Sequence, residues 1–336
     1  MLGQDVFEAL GGAAGCRALA ESFYARAARD PVLRPLFPAH LRCAIEAFSA
    51  FLVQFLGGPP EHSQDRWWLS LRESHARFPI GPRERKAWLA QMNSTLAEFP
   101  AEETVRQELR SYFDAASGYL IGVETPAGEA LTHNWNAQLA LDEAVAAIGR
   151  NDARRAIELV PQCSRAVLPG LLARMIASRS PVLVDFAKRE ILGNPALVRE
   201  RYAGRTLLHF AAGAGCDAAV RTLLDSGADP NATDGGGHAP LYSVANECGA
   251  PGGAKVVRTL VQAGAIIDAA GGVQKCTALH MAARRGSVEI AAALLECGAN
   301  IDATDKRGDT PLRRAMNCRK PELAKFLIAN GARIVF

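Results

Sequence analysis

The sequence predicts an all-α protein built of two dissimilar parts, and three observations point to it. Apolar side chains recur at helical spacing through roughly the first 120 residues, without repetition and with many aromatic rings among them. From residue 204 a motif returns at separations of 33, 38 and 33 residues, the spacing of stacked helix pairs. A length of 336 residues, 49% of them hydrophobic, suits about two domains with a core in each.

In the first part, Val6-Phe7-Glu8-Ala9-Leu10 opens with a short amphipathic turn, and Gly11-Gly12 permits a sharp change of direction. Cys16, Leu19, Phe23 and Ala27 then repeat at helical spacing, with Tyr24 beside Phe23. Asp30-Pro31 ends that helix, because proline disfavours helical geometry in the residue before it. After Val32, Leu33, Leu36 and Phe37, Pro38 breaks the chain again. Leu41 to Leu56 reads as a long helix with Ala44, Phe48, Phe51, Leu52 and Phe55 on one face, stopped by Gly57-Gly58-Pro59-Pro60. Trp67-Trp68-Leu69, a segment ending in His75, and a Pro79-Ile80-Gly81-Pro82 break follow. Pro82 suits the first position of the next helix, where its missing N–H costs nothing. Trp88, Met92 and Leu96 line one face of that helix. A last helix, Glu102 to about Ile121, turns Val105, Leu109, Phe113 and Tyr119 inward.

Leu10-Gly11-Gly12, Phe23-Tyr24, Leu36-Phe37-Pro38, Phe51-Leu52, Gly57-Gly58-Pro59, His75-(x)2-Phe78, Ile80-Gly81 and Ala87-Trp88-Leu89-(x)2-Met92 stand in a fixed order over about 120 residues. The series resembles the truncated, two-over-two globins, in the group II subgroup whose G helix carries a distal-side Trp. One such motif is weak; the whole series is specific.

The resemblance implies haem b, with its iron held by His75. Imidazole suits that task, since one ring nitrogen binds metal while the other accepts orientation from a hydrogen bond. It also implies porphyrin contacts from Phe37, Phe48, Phe51, Leu52 and Phe78, and a gas-binding side containing Tyr24, Trp88 and Ala44. Ala44 carries no donor, so the polar work falls to the Tyr24 hydroxyl and the Trp88 indole N–H. A hydrogen bond to a charge-bearing acceptor is worth roughly 1.5–3 kcal/mol, so slow gas release is expected. Two departures from the family pattern concern the propionate edge. Ser74 stands where relatives place a basic residue before the proximal His, leaving Arg72 and Arg77 as the nearest cations, and Trp67-Trp68 stands where relatives tend to have Gly and His. Exposed pairs of that kind contribute little, about 0–1 kcal/mol. His40 and His62 are further imidazoles, expected to stay off the iron.

Gly118 to Trp135 is rich in small and turn residues and reads as a linker. Short helix pairs follow, one with Leu139, Ala140, Ala144 and Ile148 ahead of Gly149-Arg150-Asn151-Asp152, another from Leu168 to Leu192. From Gly204, Thr206-Leu207-Leu208-His209, Ala239-Pro240-Leu241, Thr277-Ala278-Leu279-His280 and Thr310-Pro311-Leu312 each open a repeat. Gly227-Ala228-Asp229-Pro230-Asn231-Ala232 and Gly298-Ala299-Asn300-Ile301-Asp302-Ala303 close two of them. This resembles the ankyrin repeat, a solenoid of helix pairs with short β-hairpin loops. The five extra residues of the second interval fall near Asn246–Gly253. His209 and His280 are expected to brace the hairpin against the first helix and to bind no metal. Arg284, Arg285, Arg313 and Arg314 form a basic cluster expected to be a solvated face, and Ile334-Val335-Phe336 is too apolar for a freely solvated end. The expected domains are thus 1–122 (haem unit), 123–135 (linker), 136–203 (degenerate ankyrin-like pairs) and 204–336 (ankyrin repeats).

Charge excludes one class of partner. Residues 1–130 hold 13 basic and 16 acidic side chains, a balance of −3, and the remainder stands at +6. Neither makes the basic stripe that a phosphate backbone needs. The eight cysteines are scattered without a C-x-x-C pair, which argues against structural zinc and suits a reducing compartment. No signal peptide pattern and no run of ~20 apolar residues is found, so a cytoplasmic protein with no membrane partner is expected. The expected function is binding of dioxygen or another diatomic gas by haem, with the ankyrin stack engaging a protein partner, as a sensor, a carrier or a localised oxygen binder. An alternative is a haem enzyme, a nitric oxide dioxygenase or peroxidase, fed by an external reductase because no flavin or dinucleotide fingerprint is found. A second is an ankyrin scaffold whose globin part has lost haem.

Overall fold

The computed structural model describes residues 3–59, 70–123, 128–249 and 251–333, with side chains from residue 6 onward. His62, Trp67-Trp68, Thr125-Pro126-Ala127 and Ile334-Val335-Phe336 lie outside the described residues. The chain divides into two compact units, residues 1–147 with 154–168, and residues 148–153 with 169–336. The all-α expectation holds, and among the described residues no helix is long and apolar enough to cross a membrane.

The first unit runs α1 (Gly3–Ala9), α2 (Gly12–Ala27), α3 (Arg42–Phe55), α4 (Leu71–His75), α5 (Pro82–Glu98), α6 (Glu103–Leu120), α7 (Thr132–Gly149) and α8 (Ala153–Leu159). Helix α2 packs on α3, α5 packs on α6, and α2 also meets α5, so two helix pairs enclose one core. Cys16, Leu19, Phe23 and Ala27 face that core from α2, as their spacing requires. At α5, Pro82 takes the first turn and the Glu84 carboxylate accepts the Gly81 N–H at 3.0 Å, so the break in sequence is also a cap.

The segment read as a linker behaves differently at its distal end. Leu131 and Trp135 are buried in the same core as the helices before them. An indole is too large to leave in water when rings are within reach: that of Trp135 lies 6.0 Å from Tyr112 and 5.6 Å from Tyr119. Helix α7 therefore adds to the first unit, although its sequence reads as the start of a repeat.

In the second unit, α9 (Leu168–Ser178) and α10 (Pro181–Gly193) precede a hairpin of β1 (Arg201–Tyr202) and β2 (Arg205–Thr206), antiparallel with Arg201 opposite Thr206. Then come α11 (Leu207–Gly213), α12 (Asp217–Asp225), α13 (Pro240–Glu247), α14 (Gly253–Gln262), α15 (Ala278–Arg285), α16 (Val288–Glu296), α17 (Pro311–Asn317) and α18 (Pro321–Ala329). First helices α11, α13, α15 and α17 stack in one row, and α10, α12, α14, α16 and α18 in another. His209 is fully buried. Its Nε2–H donates to the His238 carbonyl at 3.0 Å while Nδ1 accepts from the Thr206 hydroxyl at 2.8 Å. His280 repeats this with Asp309 and Thr277 at 2.9 Å each. Both imidazoles thus tie one repeat's helix start to the next repeat's hairpin.

Candidate functional site

The first unit encloses a cavity of about 730 Å³, well within the range of cofactor sites. Helix α3 supplies one wall through Ala44, Phe48 and Phe51, which share a stripe at i, i+4 and i+7. Tyr24 reaches it from α2, and Trp88 from α5. Phe37 reaches it from the turn after α2, where the Arg34 guanidinium holds the Phe37 and Pro38 carbonyls at 3.0 and 3.2 Å. These rings brace one another edge-on, Tyr24 to Phe37 at 5.2 Å and Phe48 to Trp88 at 6.4 Å. Yet Phe37, Phe48, Phe51 and Trp88 are only partly buried. Rings of that size keep open area toward the cavity, which marks it as a place for a flat apolar molecule.

Burial pushes the Tyr24 hydroxyl up to about 12, so it keeps its proton and can donate. Helix α4 brings in His75 on the same cavity. This helix is a single turn, and Ser70 caps it by accepting the Glu73 N–H at 3.1 Å. His75 Nδ1 lies 2.8 Å from the Leu71 carbonyl, which can only accept, so Nδ1 carries a proton, and in the neutral ring the lone pair is then on Nε2. Ser74, noted in sequence as the missing base, sits 2.9 Å from the same Nδ1 and donates its own hydroxyl to Leu71 at 2.8 Å. The Phe78 ring lies 6.5 Å from the imidazole.

Of the expected contacts, Tyr24, Phe37, Ala44, Phe48, Phe51, His75, Arg77, Phe78 and Trp88 line this cavity together, whereas Leu52 and Arg72 are not among its described walls. Leu52 is fully buried on α3, about 100° further round the helix than Phe51, and faces the core instead. The Arg72 guanidinium stacks 4.0 Å above the Tyr119 ring, while that of Arg77 lies 4.9 Å from Phe78. His40 is exposed and not among the lining residues. Arg85 and Gln138 are among the wall residues that escape the sequence reading. Arg85 stands one turn before Trp88 on α5, anchored to the Asp114 carboxylate at 2.7 Å and to Ser117 at 3.2 Å, and only its i, i+3 spacing from Trp88 signals it. Gln138 comes from α7, in a stretch whose pattern suggests a repeat.

Such a cavity, with an imidazole oriented by its Nδ1 hydrogen bond, donors at Tyr24 and Trp88 and a cation at Arg77, suits a planar metal cofactor bearing acidic groups. Comparison with known proteins agrees in kind. The bacterial-like globin family matches residues 5–118, and ankyrin repeats match residues 192–241 and 248–336. The group 2 truncated hemoglobin YjbI of Bacillus subtilis (strain 168) is 31% identical over 103 residues, which is 31% of this chain and 78% of that protein. On the repeat side, the E3 ubiquitin-protein ligase KEG of Arabidopsis thaliana is 40% identical over 95 residues, 28% of this chain but 5% of that protein. Human ankyrin repeat and SOCS box protein 18 is 36% identical over 150 residues, 35% of this chain and 31% of that protein. The chain therefore spans most of its globin relative and less than a third of either ankyrin relative. It belongs to the bacterial-like globins, among the truncated haemoglobins, and carries a set of ankyrin repeats after its globin domain.

Proposed function

We propose that the globin domain holds haem b through His75 and binds a diatomic gas, dioxygen foremost, while the ankyrin repeats join it to a protein partner as a sensor or a localised gas binder. One arrangement carries the reading. Partly uncovered aromatic rings surround a cavity of about 730 Å³ whose wall includes an imidazole with Nδ1–H committed to Leu71. Haem, when bound, supplies the metal centre that a gas molecule occupies. The chain's own residues do the rest. Phe37, Phe48, Phe51 and Phe78, which line the cavity, would pack against the macrocycle and keep water out. Tyr24 and Trp88 offer hydrogen bonds to the gas, each worth roughly 1.5–3 kcal/mol to a charge-bearing acceptor. Arg77 stands at the cavity for the acidic side groups, beside an Arg85 already paired with Asp114.

The test is reconstitution of the full chain with haem, followed by nitric oxide consumption under steady reduction. Stoichiometric pigment with consumption ending at one equivalent per haem is expected of a binder. Sustained turnover would make the protein an enzyme fed by a reductase, and absence of a Soret band would leave only a scaffold.

A further inference from the structure

Helix α7 lies beyond the stretch matched by the globin family, yet it reaches the helix that carries His75. Asp142 on α7 is only 4% exposed. Its carboxylate accepts the Leu71 N–H at 2.8 Å and the Arg72 N–H at 3.1 Å, and also binds the Gln138 amide at 2.8 Å. Leu71 and Arg72 open α4, where backbone N–H groups have no partner inside the helix. The next link is the Leu71 carbonyl, which accepts His75 Nδ1–H at 2.8 Å. A continuous path thus runs from the Asp142 carboxylate through one peptide-bonded residue to the imidazole. A helix of five residues has too few internal hydrogen bonds to hold its own geometry, so its position is set by what grips its ends.

We propose that Asp142 is a positioning residue for the proximal imidazole: by clamping the Leu71 and Arg72 amides it fixes the height and direction of His75 in the cavity and, through the Leu71 peptide, strengthens the imidazole as a donor. The inference rests on the reading that His75 ligates haem iron. It makes α7, and not the family-matched helices alone, part of the cofactor site. Outer partners of a ligating histidine act in this way by orienting the ring and raising its basicity, and removing one typically costs about 10- to 100-fold in metal affinity.

The test uses the full chain with Asp142→Asn, which keeps the shape and removes the charge, and Asp142→Ala, which removes the acceptor. Two readouts are taken. In the haem-free protein, amide hydrogen exchange at residues 71 and 72 should quicken in both variants. In the ferrous, haem-loaded protein, the iron–imidazole stretching band should move to lower frequency, with haem retention falling about 10-fold or more. Where Asp142→Ala does not fold, Asp142→Asn carries the test alone. Faster exchange with an unmoved band and unchanged retention would overturn the inference, reducing Asp142 to a helix cap. A wild-type protein with no such band would instead sink the ligation reading, and the two failures are told apart by the wild-type spectrum.

Discussion

On the proposed reading, Tyr24 and Trp88 would control gas release. With its pKa pushed up to about 12 by burial, Tyr24 is a donor at any physiological pH. Replacing it with Phe should raise the gas dissociation rate about 10- to 100-fold in a stopped-flow measurement. Trp88→Phe should act in the same direction, and the double variant should gain less than the product of the two, because the donors share one ligand. Unchanged rates in both would remove hydrogen bonding from the gas site. His209 makes the repeats sensitive to pH. Burial, first among its causes, lowers its pKa to about 4, and His280 shifts the same way. The folded state keeps His209 neutral while the unfolded chain protonates near pH 6.5, so its contribution is complete above about 6.5 and lost as pH falls toward 4. That term amounts to at most about 3 kcal/mol. The urea midpoint of the repeat unit should therefore drop between pH 7 and pH 4.5, and a flat profile would contradict it. At this scale the aromatic wall is legible in sequence because each ring belongs to a spaced series. Arg85 is not, since an arginine on a helix usually marks solvent, and Leu52, which shares its chemistry with the stripe beside it, is buried in the core.

Among the elements, the entry into α2 shows how closely backbone packs. Gly11 takes φ +94°, and the turn brings the Leu10 carbonyl onto Gly15, where an added Cβ would lie 1.7 Å from that oxygen. Backbone cannot swing aside as a side chain does. Gly15→Ala should therefore destabilise the globin unit by roughly 1–3 kcal/mol, read as a lowered melting temperature. Helix boundaries of α3, α5 and α6 follow from their punctuation, Pro82 at the first turn of α5 above all. The grip on α4 could not be read that way, because Asp142 stands 71 positions from Leu71 and nothing local announces it. The same holds for Trp135, whose flanking turn residues suggest a linker while its ring finds Tyr112 and Tyr119.

Over the whole molecule, all four tryptophans (67, 68, 88 and 135) fall within residues 1–147, so tryptophan emission reports the globin unit alone. Haem that binds the folded unit and not the unfolded chain should stabilise its transition by about 4 kcal/mol at a thousandfold excess over Kd. A tryptophan-detected midpoint that ignores haem would contradict binding at this site. The repeats are legible at this scale because Thr-x-Leu-His and Gly-Ala frameworks return in register. Where one unit ends is less so, since α7 carries the apolar spacing of a repeat helix while its Trp135, with Leu131 just before the helix, is buried in the globin core. On the proposed reading one imidazole ties haem to this chain, which the absorbance of His75→Ala after haem addition tests, with and without free imidazole and beside His40→Ala. The expected result is loss of the wild-type ferrous spectrum in His75→Ala, its recovery with imidazole, and no change in His40→Ala. Wild-type pigment uptake and an unaltered spectrum in His75→Ala would contradict it.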